Sequence, residues 1–430
     1  MRPLFLIHFL LLLFPALSQV SQKEEEQFLR IYEQQLTQSL KVRSMSDPEI
    51  DRYISTARGS VTTIAGFARE LENIFPPASA REMAVLFYLF ANDTLHRYFI
   101  VPGKLKEKSS MPMTRAAIEK LNTDVYAAMN IYGLTANRAP RERGLKPAAA
   151  VKATVSLERA LEQAAKVLLP AGFDEKFKHL VVVPAFSIGA FPFQLLRPYG
   201  DSSMLVDKCS ITISPSLMDL VAVRKRMLQK RFMGRYDAYE LETKSAFTLD
   251  NPLFICNPKY PAGGPYAFPD LPGAVKEIKA SLPYAKQYRL FQGAKARKDS
   301  VIRYIREADL VYFATHGIAA QENPLDNNFL VLSGKDPYLT ARNIMQLRDS
   351  TGQQELGFPE MVILSACQTG LGKSMEAGLT AGMARAFLIA GANQVIMSLW
   401  SVDDEATAYL MSRYIYHLQQ PHAFLDPRSI

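Results

Sequence analysis

The spacing of apolar positions changes character along this chain, and each change marks a boundary. From Lys23 to about Phe75, Phe28, Ile31, Tyr32, Leu36 and Leu40 recur at helical spacing between Glu and Gln, which predicts helices. Ser46-Asp47-Pro48 reads as an N-cap with Pro in the first turn, and Pro76-Pro77 closes the stretch. No tetratricopeptide-length repeat is visible, so this is a short helical segment, not an array. Two apolar, aromatic runs follow, Met83 to Phe90 and Leu95 to Val101. Asn92-Asp93 joins them, the signature of a β-hairpin. Thr114 to Met129 predicts a helix with Ala117, Leu121 and Val125 on one stripe, and Ser156 to Leu168 a second helix capped by Ser156. Between them, Ala136 to Pro147 reads as an exposed basic loop. Leu180 to Pro184 and Ile211 to Ile213 read as buried strands. Arg224 to Arg231 carries five basic residues in eight positions and reads as the solvated face of a helix, in preference to a patch for an anionic partner. Residues 232–250 read as a linker.

The pattern restarts at Pro252. Strands are predicted at Leu253 to Cys256, Leu310 to Thr315, Phe329 to Ser333, Met361 to Ala366 and Gln394 to Leu399. Helices alternate with them. One opens at Leu271-Pro272-Gly273 and buries Ala274, Ile278 and Leu282; one runs from Ser300 to Ala308 behind an Asp299 cap; one lies near Ala341 to Leu347. Another passes through Leu379, Met383, Phe387 and Ala390 to a stop at Gly391, and the last spans Asp404 to Leu418. Such alternation means a mainly parallel sheet with helices on both sides, an α/β fold. The organisation expected is a signal peptide at 1–18, a helical segment at 23–77, and two α/β halves at 83–245 and 250–420.

The chain's 430 residues are too many for one typical core, in keeping with two halves. A formal net charge of +8 is moderate. With no aromatic-interleaved basic groove and no nucleic-acid motif, no nucleic-acid partner is expected. Arg2, the apolar run Leu4 to Phe14 and the small-residue site Ala16-Leu17-Ser18 read as a secretory signal. The run is too short for a membrane span, so an exported chain, periplasmic or secreted, is expected, without a stable span once the signal is removed. Its cysteines are Cys209, Cys256 and Cys367. The odd number leaves at least one thiol free or paired with another chain. Cys256, inside an apolar strand, reads as packing, and Cys209 beside Lys208 as either. No zinc spacing is present, and no metal or organic cofactor is expected.

Candidate chemistry gathers at two strand ends. Cys367 follows the apolar run from Met361 and enters Gln368-Thr369-Gly370; His316 ends the run from Leu310 and precedes Gly317. Open α/β sheets place ligands beyond the carboxyl ends of their strands. Adjacent parallel strands would bring Cys367 and His316 together as nucleophile and base, with the N–H groups of Gly317 and Cys367 as an oxyanion hole. The remaining histidines lack such a setting. Gly372-Lys373-Ser374 resembles the end of a phosphate-binding loop, but Cys367 stands where its first glycine belongs. Asp403 and Asp404 read either as caps of the last helix or as the acidic floor of a pocket for a cationic side chain. Glu376 likewise reads as a cap or as a loop anchor.

The chain resembles a CHAT domain from about residue 83 to about 418. The marks are Val183-Pro184 with Phe191-Pro192-Phe193, Ser214-Pro215-Ser216, Asn257-Pro258, Leu271-Pro272-Gly273-Ala274, and Ala314-Thr315-His316-Gly317. They continue with Leu364-Ser365-Ala366-Cys367-Gln368-Thr369-Gly370, the run Ala384 to Ala392, and Ser398-Leu399-Trp400-Ser401-Val402-Asp403-Asp404. The resemblance implies a caspase-like α/β/α sandwich, with a pseudo-caspase half bracing an active half. It also implies a cysteine endopeptidase with His316 as general base and Cys367 as nucleophile, acting on a protein or peptide. Separases carry a similar Leu-Trp-x-Val-x-Asp stretch lining a pocket for a basic side chain. That match implies Asp404 first, and Asp403 second, as the pocket acid, with cleavage after Lys or Arg. An activating partner at the N-terminal helices is expected. The contrasting expectation is a catalytically idle scaffold that binds a partner.

Overall fold

The computed structural model describes residues 26–27, 30, 63–75, 77–130, 141–142, 153–232, 249–318, 324–347, 357–365, 368–369, 382–399 and 403–418. The expected signal peptide, most of the N-terminal helical segment, the linker at 233–248 and the Gly372-Lys373-Ser374 stretch lie outside them.

Helix α1 (Ile64–Ile74) starts at Thr63, whose Oγ1 accepts the Gly66 N–H at 2.9 Å. The hairpin of β1 (Met83–Ala91) and β2 (Thr94–Val101) turns at Asn92 and Asp93, which adopt φ of 50° and 49°. Asn and Asp tolerate that left-handed backbone, so the dipeptide sets the turn. A third strand, β3 (Lys104–Pro112), pairs with β2 and was not predicted. Its run of Lys and Glu hides the strand pattern because it is an outer strand, where charge faces water. Helix α2 (Arg115–Ala128) is capped by Thr114. Its buried side is Ile118, Asn122, Val125 and Tyr126, one position round from the expected Ala117 stripe. Polar anchors cause the rotation, since Tyr126 donates to the Ala190 carbonyl and Asn122 to the Ser187 carbonyl. Then come β4 (Arg141–Glu142), α3 (Leu157–Leu168) behind its Ser156 cap, β5 (His179–Val183), β6 (Ser210–Ile213) and α4 (Leu217–Phe232). The strands order as β3-β2-β1-β5-β6, with β1, β5 and β6 mutually parallel.

The basic run on α4 departs from the expected solvated face. Arg224 and Arg226 are buried. Arg224 donates through Nε to the Ile74 carbonyl at 2.7 Å and stacks over Phe75, while Lys225 pairs with Glu70 at 2.7 Å. Arg224 thus satisfies a carbonyl at the end of α1, which sequence spacing alone does not reveal.

The second half runs through β7 (Leu253–Pro258), β8 (Tyr266–Ala267), α5 (Pro272–Ser281), β9 (Arg289–Gly293), α6 (Lys298–Tyr304), β10 (Leu310–Ala314) and β11 (Gly317–Ile318). It continues with β12 (Phe329–Val331), β13 (Tyr338–Thr340), α7 (Ala341–Met345), β14 (Met361–Ser365), β15 (Gln368–Thr369), α8 (Met383–Ala390), β16 (Gln394–Met397) and α9 (Asp404–Leu418). Asp299 is not the cap of α6. Arg297 holds that place, bridged to Ser333, and Asp299 sits inside the first turn. The expected helix to Ala308 ends at Tyr304 and gives way to a 3₁₀ turn. The large sheet orders as β16-β14-β10-β7-β9, wholly parallel, and a small sheet, β13-β12-β11-β15, follows the carboxyl ends of its inner strands β10 and β14.

Alternation along each strand builds the layers. In β10, Val311 and Phe313 face one core with α7 and α8, while Leu310, Tyr312 and Ala314 face another with α5 and α9. In β1, Val85, Phe87 and Leu89 face α1 and α4, while Ala84, Leu86 and Tyr88 face α2 and α3. Each sheet is therefore covered on both sides, an α/β/α sandwich made twice. The inner helix layers meet where Ile389 of α8 enters the core shared by α1 and α4.

Candidate active site

Strands β10 and β14 are neighbours and parallel, paired from Leu310↔Met361 to Ala314↔Ser365. Pairing resumes in the small sheet, where Gly317 meets Gln368 and Ile318 meets Thr369. Thr315 and His316 thus lie between two paired stretches. Cys367 lies outside the described residues, as do Glu376 and Trp400.

His316 is fully buried. Its Nε2 is 2.7 Å from the Pro269 carbonyl, which can only accept, so Nε2 carries the hydrogen. In the neutral ring, Nδ1 is then the basic atom. The ring packs against Tyr260 at 4.8 Å and Phe268 at 5.5 Å between centroids. Its backbone is held as well: Val331 N–H donates to the His316 carbonyl at 2.9 Å, and Thr315 Oγ1 donates to the Val331 carbonyl at 2.6 Å.

Pro269, Tyr260 and Phe268 were not singled out from sequence. They ride on the loop between β7 and α5, which Asn257 closes. Its backbone turns at φ 37°, and its Oδ1 accepts the Leu271 N–H at 3.0 Å. Asn257-Pro258 and Leu271-Pro272 are thus the two ends of one clasp. The signal in the sequence that could have pointed to it is the density of Tyr260, Tyr266 and Phe268 between them.

A scan against family models matches the CHAT domain over residues 156–425, more than half of the chain. The chain belongs to the CHAT domain family. The match starts later than the expected residue 83, yet the CHAT segment's first sheet needs β1 from outside it as its middle strand. No curated protein matches the chain. Among solved structures, gingipain R, an Arg-specific cysteine proteinase, is similar with a TM-score of 0.38 and 12% identity, over 80% of this chain and 68% of that one. The Saccharomyces cerevisiae separase–securin complex gives a TM-score of 0.46 and 12% identity, over 89% of this chain and 30% of that one.

Around the CHAT strand tips, Gly317 is buried and its backbone pairs on both sides, with Leu330 and Gln368. Asp403 is exposed, and its Oδ1 accepts the N–H groups of Glu405 at 3.0 Å and Ala406 at 2.9 Å, so it caps α9. Asp404 opens α9; its side chain lies outside the described residues. Cys256 is buried against the Ala274 carbonyl. Burial pushes the Cys209 thiol up to about 12, which keeps it protonated and unreactive. A cavity of about 600 Å³ opens beside the clasp, walled by Tyr266, Phe329 and Tyr338 and rimmed by the pairs Arg342–Asp326 and Lys298–Asp336. Among the described residues, no group of His, Cys, Asp and Glu gathers to hold a metal, and no helix is long and apolar enough to cross a membrane.

Proposed function

We propose that this CHAT chain is an exported cysteine endopeptidase that cuts after Lys or Arg. Cys367 is the nucleophile and His316 its base. The observation that carries the reading is the parallel register on both sides of His316, combined with an imidazole whose Nε2 is committed to Pro269 and whose Nδ1 is the basic atom.

In this mechanism Nδ1 takes the Cys367 proton, and the thiolate attacks the scissile carbonyl carbon. The Pro269 carbonyl steadies the resulting imidazolium. The oxyanion is assigned to the backbone N–H groups of Gly317 and Cys367 because they adjoin the two reacting groups in sequence. Collapse breaks the peptide C–N bond, and the imidazolium returns its proton to the leaving amine. Water, deprotonated by His316, then attacks the thioester; the acid product leaves and the thiol is restored. Every step uses the chain's own side-chain and backbone groups and water. An activating partner is assigned to the N-terminal helical segment.

Asp404 is assigned to the pocket floor and Asp403 to the helix cap. Fluorogenic peptides ending in Arg, Lys, Asp or Leu test this. The wild type is expected to prefer Arg and Lys, and Asp404→Ala to lose the preference. Asp403→Ala is expected to keep it while losing about 1 kcal/mol of stability in urea unfolding, the typical worth of an N-cap. An Asp404→Ala enzyme that still selects Arg and Lys removes the pocket assignment. An idle scaffold would hydrolyse none of the four.

A further inference from the structure

Two marks of the sequence that catalysis does not use, Ser214-Pro215-Ser216 and the Arg385 region, meet in the structure. Arg385 Nη2 lies 3.1 Å from Asp219 Oδ2, with both side chains only 4% exposed. Ser216 Oγ donates to Asp219 Oδ2 at 2.6 Å and accepts the Asp219 N–H at 2.9 Å, so the serine both caps α4 and orients the carboxylate. At the other end of α8, Arg226 of α4 donates to the carbonyls of Leu388 at 3.2 Å and Ala392 at 3.4 Å. One helix of the first half thus grips α8 at both ends.

We infer that Asp219, Arg385 and Arg226 are positioning residues: a clamp through which the first half sets the geometry of the His316–Cys367 pair. The inference rests on the dyad reading above. Three observations carry it. Arg385 is the third residue of α8, where the helix dipole disfavours a cation, so Asp219 accounts for its place. A buried ion pair is seldom worth more than an apolar pair of similar volume, so stability alone is a weak reason for it. Finally, α8 lies directly on the reacting strands. Phe387 packs on Phe313 with ring centroids 5.8 Å apart, and Phe313 lies on the strand that leads into His316, three residues before it.

The test replaces both charges by apolar residues, Asp219→Leu with Arg385→Met, so that no lone charge is left buried. Thermal unfolding shows that the double variant folds. Turnover of an Arg-terminated peptide is read as kcat and KM separately. The alkylation rate of Cys367 by iodoacetamide is followed by peptide mass mapping. The expected result is an unchanged KM, a kcat down by about 10²-fold, as misplacement near the chemistry produces, and slower alkylation. Arg385→Lys, which keeps the charge, is expected to recover most of the loss. A folded double variant with full kcat and wild-type alkylation overturns the clamp and leaves the dyad standing. Wild-type turnover that Cys367→Ala does not reduce overturns the dyad, and the clamp with it. If the peptide is a poor substrate, the alkylation rates alone decide.

Discussion

Cys367→Ala is expected to bring hydrolysis of Arg- and Lys-terminated peptides to background, and His316→Ala to lower kcat by about 10²–10⁴-fold with KM little changed. The two differ because the sulfur forms the acyl bond, whereas the imidazole only moves protons. A thiol without its base keeps a small thiolate fraction at neutral pH. Residual His316→Ala activity should therefore rise with pH as the thiol ionises unaided. His316→Ala also removes a ring packed under Tyr260 and Phe268, so unfolding has to be followed alongside. Steady-state rates across pH, with active-site titration by an alkylating inhibitor, check both. Equal turnover by wild type and Cys367→Ala excludes this nucleophile.

Phe313→Ala is expected to cost about 3–5 kcal/mol of stability, the usual range for emptying a buried aromatic site. The ring is fully buried on the middle strand of the large sheet and touches Phe387. Its neighbours cannot collapse into the space, because β10 is held on both sides by β7 and β14. Urea unfolding followed by far-UV circular dichroism measures the loss. A change below about 1 kcal/mol would mean that α8 does not pack on this strand as described. Tyr312, the preceding residue, faces the opposite core and donates to the buried Glu277 carboxylate, so its replacement tests a polar contact and not a cavity.

The strands and their order of appearance were legible wherever both faces are buried. Unbroken runs such as Leu310 to Ala314 and Met361 to Ser365 leave little choice. Turn and cap chemistry was legible for the same local reason, at Asn92-Asp93 and Ser156. What escaped was set by distant partners. β3 was hidden because its charges suit an outer edge. Arg224 and Arg226 looked like solvent-facing cations until the carbonyl ends of α1 and α8 were brought beside them. His316 stood out by its place at a strand tip, but the Pro269 carbonyl that fixes its tautomer is a backbone atom on a loop brought in by Asn257. No side-chain pattern announces such a group. Asp403 shows the reverse case, where local capping chemistry read from the sequence is what its carboxylate does.

The lysine-rich border formed by β3 bears on behaviour in crowded solution. A foreign strand adding there would have to strip water from the exposed ammonium groups of Lys104 and Lys106, at a cost no single backbone ladder repays. That margin of the molecule is thereby protected against fibril-like stacking.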